Sequence, residues 1–105
     1  MLFRSEAKSL ALQAYILLPG VQTADTLGWI LTQDNEPAKG LPLLRQASTT
    51  APGDYRIRYH FAVALNKTGN TDEAVRQLDQ VIAAKGNFLE KTDAQALLDE
   101  LKKKL

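Results

Sequence analysis

The sequence predicts an all-α fold, a stack of antiparallel helix pairs. Three observations predict it: a 34-residue period, apolar residues recurring every three or four positions between short turn-rich connections, and no convincing strand-like alternation. The period is visible position by position. Leu27, Leu31, Asn35, Gly40, Leu44, Ala47 and Pro52 are followed 34 residues later by Phe61, Leu65, Gly69, Ala74, Leu78, Val81 and Gly86, matched in size and polarity.

The first helix is expected from about Phe3 to Leu18, where Phe3, Ala7, Leu10, Ala14 and Leu17 form one apolar face before Pro19 stops it. The first window then holds a helix ended at Asn35 and a second with Pro37 in its first turn, closed by Pro52-Gly53. Pro42 falls in the second turn, where its missing N–H predicts a slightly loosened start. In the second window Phe61, Ala62 and Leu65 mark a helix that the KTGN segment, Lys67 to Asn70, terminates. Thr71 is expected to cap the next, with Asp72 and Glu73 at its positive end and Ala74, Val75, Leu78, Val81 and Ile82 as its buried stripe. The final helix is expected to open with a capping box of Thr92 and Gln95 and to bury Ala94, Leu97, Leu98, Leu101 and Leu105. Asp93 near its start and Lys102, Lys103 and Lys104 at its end suit the helix dipole. The resulting division is 1–20, one helix of a truncated upstream repeat; 21–54 and 55–88, two repeats; and 89–105, a C-terminal capping helix.

A chain of 105 residues makes one domain that hides roughly 65% of its unfolded surface. A net charge of +1 supplies no field for nucleic acid or an anionic membrane, and with no cysteine there is no disulfide, thiolate metal site or cysteine nucleophile. No apolar run approaches the ~18 residues of a membrane span, and the opening MLFRSEAKSL does not read as a secretory signal. Leu2 to Ser5 is the translation of CTC TTC CGA TCT, the end of a common sequencing adapter. The expectation is that these residues are non-native and open a fragment of a longer protein.

The spacing of Leu27-Gly28, Leu31, Gly40, Leu44, Ala47 and Pro52, with its second copy, resembles tetratricopeptide repeats. The resemblance implies a right-handed solenoid whose first helices line a concave, protein-binding side. Ala24 and Arg58 stand where that family often has Trp, Gly40 where it has Ala and Gly86 where it has Pro, departures expected to weaken local packing. Within residues 24–101 the strings ADTLGWIL, LPLLRQA, IRYHFAVALNKTGN and FLEKTDAQALLDEL are similar to the C-terminal end of the repeat lipoproteins found beside bacterial PEP-CTERM and exosortase systems. That likeness implies a parent protein outside the cytoplasmic membrane, assisting exopolysaccharide-linked protein sorting; a cytoplasmic adaptor is the alternative.

On the expected concave side, Gln22, Asp25, Trp29, Thr32 and Gln33 share one helical face, and the same register gives Arg56, Tyr59, His60, Val63, Asn66 and Lys67. Aromatic anchors interleaved with hydrogen-bonding groups suit a protein or peptide segment as partner. The competing expectation is a structural cap, in which Trp29 and Tyr59 pack within the solenoid and binding lies upstream. The groove set of a carboxylate clamp is not matched, since Asp25, Trp29, Tyr59 and Val63 occupy the row.

His60 has no companions at ligand spacing, so no metal or cofactor is expected. Ser5 to Lys8 (SxxK) and Lys67 to Gly69 (KTG) imitate penicillin-binding enzymes but lack the strand context and the third element. The acid pairs Asp72-Glu73 and Asp99-Glu100 are adjacent on helices and cannot share a proton. No enzyme is predicted. The fragment is expected to self-associate through its first helix.

Overall fold

A computed structural model describes residues 4–104, with side chains from residue 6 onward. Six helices follow one another with short turns: α1 (Arg4–Leu17), α2 (Val21–Gln33), α3 (Pro37–Thr50), α4 (Tyr55–Lys67), α5 (Thr71–Ala83) and α6 (Leu89–Lys103). No strand occurs among the described residues. The period is structural: α2, α4 and α6 begin 34 residues apart, as do α3 and α5. The fold is thus an all-α solenoid in which each helix packs against the next.

The turns inside the two pairs are copies of each other. Asn35 (φ 62°) and Gly69 (φ 87°) adopt the left-handed conformation one residue beyond the C-caps Asp34 and Thr68. The next amides reach back five residues, Glu36 N–H to Leu31 O at 2.9 Å and Asn70 N–H to Leu65 O at 2.8 Å, the bond that closes a Schellman end. Pro37 then starts α3, and the helix continues through Pro42, whose side chain is exposed.

Two expected starts move. Asn70, not Thr71, is the N-cap of α5, and its side chain bonds Thr68 instead of the helix. α6 begins at Leu89, so Thr92 is interior and Gln95 donates to Asp99 at 2.9 Å; the expected capping box is absent. Glu90 takes the place in the first turn expected of Asp93. Asp54 does cap α4, its Oδ1 accepting from Ile57 N–H at 3.2 Å.

The core is spread along the stack. Its largest part joins Leu44, Phe61, Leu65, Leu78, Val81, Leu98 and Leu101 across α3 to α6. Ala24, Ala47 and Ile57 form a second cluster, and Ala11, Leu27 and Leu31 a third. Small residues set the α2–α3 crossing. A Cβ on Gly40 would strike the Gly28 carbonyl and lie 2.6 Å from Thr32 Oγ1, so Gly40 permits close approach and leaves no hole. The expected weakening there is corrected. Arg58 donates to Gln77 Oε1 at 2.6 Å and Pro52 O at 2.7 Å, but its Nε is buried with no hydrogen-bond partner among the described residues, so the expected weakening there is not corrected.

α1 packs on α2 through Ala11 and Tyr15, while Lys8 bridges Asp34 at 3.1 Å and Glu36 at 2.7 Å. Of the apolar face read from the sequence, Leu10 and Leu17 lie open, 51% and 82% exposed. Ile16 and Leu18 are exposed as well. Phe3 and Leu105, expected on apolar stripes, and the Leu2-Phe3 start of the adapter-like string lie outside the described residues.

Candidate protein-binding groove

The backbones of α2 and α4, and of α4 and α6, approach closely, whereas those of α1 and α3, and of α3 and α5, do not. In a stack of pairs the layer whose members lie closer together is the inside of the curve. The inner layer is therefore α2, α4 and α6.

Its centre is an aromatic cluster spanning α2 and α4. Trp29 stacks on His60 with ring centroids 4.0 Å apart and planes 16° from parallel. Tyr59 lies tilted beside both, 6.1 Å from each. A buried hydrogen bond holds the imidazole: His60 Nδ1–H donates to Asp25 Oδ1 at 2.7 Å, Asp25 being 3% and His60 8% exposed. A carboxylate only accepts, so it selects the Nδ1–H tautomer and fixes the ring plane on which Trp29 lies. The second oxygen, Asp25 Oδ2, is 4.0 Å from Arg56 Nη2, and Arg56 donates to Gln22 Oε1 at 3.2 Å across the same two helices.

The row expected from the sequence thus separates by depth. Gln22, Gln33, Arg56 and Lys67 are exposed; Trp29, Tyr59, Val63 and Asn66 are half-buried. Asp25 and His60 form a floor beneath the aromatic rings. Thr32 leaves the open row, because its fully buried hydroxyl donates to Gly28 O at 2.7 Å beside Gly40. A helical wheel places Thr32 within reach of the inner face, but the close approach of α3 covers it.

Sequence reasoning missed Glu90 and Asp93. Burial first, then the negative charges of Asp93 and Glu90, push the Tyr59 hydroxyl above the usual phenol range. Both acids lie on α6, whose backbone approaches that of α4. Carrying the 34-residue register one step further finds them: Arg56, Tyr59, Val63 and Asn66 become Glu90, Asp93, Leu97 and Glu100. Placing the start of α6 at Thr92 concealed that step. Beside Glu90, Phe88 stacks on Tyr55 at 6.1 Å and closes the end of the inner layer.

Among the described residues no group of three or more His, Cys, Asp or Glu could hold a metal ion, and no helix is long and apolar enough to cross a membrane. Of the enzyme-like strings, Lys67 to Gly69 spans the α4 end and the following turn, and Lys8 is held by Asp34 and Glu36. The side chain of Ser5, which opens the first string, lies outside the described residues.

No curated protein and no solved structure shows significant similarity to the chain. A family model described as tetratricopeptide repeat matches residues 31–101, spanning α3, α4, α5 and most of α6. Because the match covers most of the chain and agrees with the 34-residue offset of its helix pairs, the chain belongs to the tetratricopeptide repeat family.

Proposed function

We propose that the inner surface of α2, α4 and α6 is a non-catalytic protein-binding groove for an extended or helical segment of another protein. The observation that carries this reading is the half-exposed pair Trp29 and Tyr59, seated on a floor that the Asp25–His60 bond makes rigid. Large aromatic rings held in place contribute area at little entropic cost, which is why such residues dominate binding energies. Repeats of this family usually serve protein or peptide binding, in keeping with the reading.

The finer part of the proposal is that the chain is the C-terminal end of a longer repeat scaffold. The open face of α1 supports it, since Leu10, Ile16 and Leu17 form apolar surface that a further repeat would cover. In the isolated chain a second copy would cover it, and sedimentation should then show a mass that rises with concentration. A concentration-independent monomer of the wild type counts against this. The string resemblance over residues 24–101 supports a role in exopolysaccharide-associated protein sorting. The complete reading frame and its neighbouring genes test that role: a lipoprotein signal beside exosortase-like genes supports it, and a cytosolic start removes it.

The groove is tested by recovery of partners on the full-length protein, wild type against Trp29→Ala/Tyr59→Ala. Unchanged recovery with unchanged helicity eliminates it. A second reading, a purely structural cap, draws on the flat stacking of Trp29 on His60, which is also a packing contact. Deleting residues 21–105 from the full-length protein separates the two, because a cap leaves specific partner binding upstream intact.

A further inference from the structure

The bond that holds His60 leaves the other end of its ring open. Nδ1–H is spent on Asp25 Oδ1 at 2.7 Å, and Nε2 has no hydrogen-bond partner among the described residues. The side chain is nine-tenths buried, yet this nitrogen is not sealed in. Among the described residues Arg58 Nε is the buried side-chain nitrogen or oxygen left without a partner, so His60 Nε2, equally unpartnered, reaches solvent.

The opening can be placed. α3 packs against both α2 and α4, and α5 packs against α4, so the seam between α2 and α4 meets solvent on the inner surface. Trp29 lies flat on one face of the imidazole and Tyr59 stands tilted 6.1 Å away, so the Nε2 edge opens beside both aromatic residues. With the proton held on Nδ1 by a carboxylate, Nε2 is a lone pair that accepts and cannot donate. Two other uses of such a nitrogen lack their parts. Among the described residues no group of three or more His, Cys, Asp or Glu could hold a metal ion, and no hydroxyl bonds Nε2 for it to deprotonate.

We infer that His60 Nε2 determines specificity in the groove, as a fixed acceptor for a hydrogen-bond donor of an internal peptide segment laid across Trp29 and Tyr59. The donor is a backbone N–H or a serine or threonine O–H. The inference rests on the groove reading above and adds what its floor requires of an occupant. A donor delivered there satisfies an acceptor that burial has largely removed from water, and a partner lacking one leaves it unmet. A C-terminal carboxylate, which only accepts, meets the Nε2 lone pair with the Asp25 carboxylate behind it.

His60 is the chain's only histidine, so a long-range proton–nitrogen correlation spectrum of the labelled full chain reads one imidazole. At about pH 8 it should show Nδ1 protonated and Nε2 bare; the opposite tautomer, or a proton on both nitrogens, overturns the inference. Nine-residue peptides selected on the full chain from a displayed random library supply the occupant. In the tightest binder one change that removes a donor, either N-methylation of a backbone amide or replacement of serine or threonine by alanine, should weaken binding about tenfold. Which of the two does so identifies main chain or side chain as the source. The same change should have no effect on binding to His60→Asn, which keeps an N–H for Asp25 and has no atom in place of Nε2. On the wild-type protein the intact peptide should shift the Nε2 resonance and its donor-less version should not, a reading that does not depend on the variant folding. An Nε2 resonance that no bound peptide moves overturns the inference, and the groove stands if those peptides are lost in Trp29→Ala/Tyr59→Ala. Absence of any binder, or binders indifferent to both aromatics, removes the groove and this inference with it.

Discussion

Replacing Gly40 with alanine, the residue its family commonly carries at this position, sets two effects of opposite sign against each other. Alanine is the better interior helix former by about 1 kcal/mol. Against that gain, the new Cβ would strike the Gly28 carbonyl and lie 2.6 Å from Thr32 Oγ1 and 3.2 Å from Thr32 N. Two of these three atoms are backbone of α2, so no rotamer change relieves them and the helices must separate. Ordinary contact begins at 3.4 Å, so the Thr32 contact alone asks for about 0.8 Å. A gap of that size forfeits roughly a quarter to a half of the dispersion energy between the surfaces it parts. Overpacking of this kind costs about 1–3 kcal/mol, which leaves a net loss of up to about 2 kcal/mol. For a chain of this length that lowers the melting temperature by up to about 15 °C. Gly28→Ala should cost less, because its shortest contact, 2.7 Å, is to a side-chain atom, Leu44 Cγ, and its nearest backbone contact, the Gly40 carbonyl oxygen at 3.1 Å, is longer. Thermal melts followed by far-ultraviolet circular dichroism read both variants. A Gly40→Ala protein that melts higher than wild type refutes the close-approach argument.

Asp25→Ala should destabilise by about 2 kcal/mol in urea titration, because it leaves a buried imidazole without its acceptor, whereas Gln22→Ala on the exposed rim should change stability by less than about 0.5 kcal/mol. Equal effects would mean that the buried bond contributes little. Asn35→Gly, at a left-handed position whose counterpart is already Gly69, should stabilise by about 0.5 kcal/mol; a loss would show that the Asn35 side chain matters to the turn. Glu36 is held below the usual carboxylate range, first by its hydrogen bond from Lys8 and then by that from Lys39. Its contribution is therefore present above the ordinary glutamate value of 4.5 and is lost as pH falls through the lower folded value. Urea midpoints from pH 6 down to about 2 should fall more steeply for wild type than for Lys8→Met, and parallel curves would remove the linkage. Lys8 is raised first by its hydrogen bond to Glu36 and then by that to Asp34, so its share is complete below 10.5 and is lost only as pH rises through a still higher value.

Much of the architecture was legible because it is encoded locally. Turn residues at Asn35 and Gly69, the proline at 37 and apolar stripes at helical spacing place α2 to α5 without reference to any partner. α1 was legible as a helix, but not in orientation. Apolar residues surround most of it, and only the position of α2 decides that Ala11 and Tyr15 pack while Leu10 and Leu17 do not. The start of α6 was misplaced because Thr92 and Gln95 satisfy a local capping pattern, although Leu89 continues the period from Tyr55.

In the groove, the sequence identified a row of aromatic and polar side chains but not its depth. Asp25 and Thr32 read as open members of the row on a wheel; in the fold one meets His60, 35 residues away, and the other is covered where Gly40 approaches. By itself the sequence determined the helices, their period and the residue types available to the inner face, since these follow from spacing along one chain. Tertiary structure alone decided which polar groups satisfy one another in the interior. Burial and pairing depend on atoms brought together from separate repeats, and no local pattern carries that information.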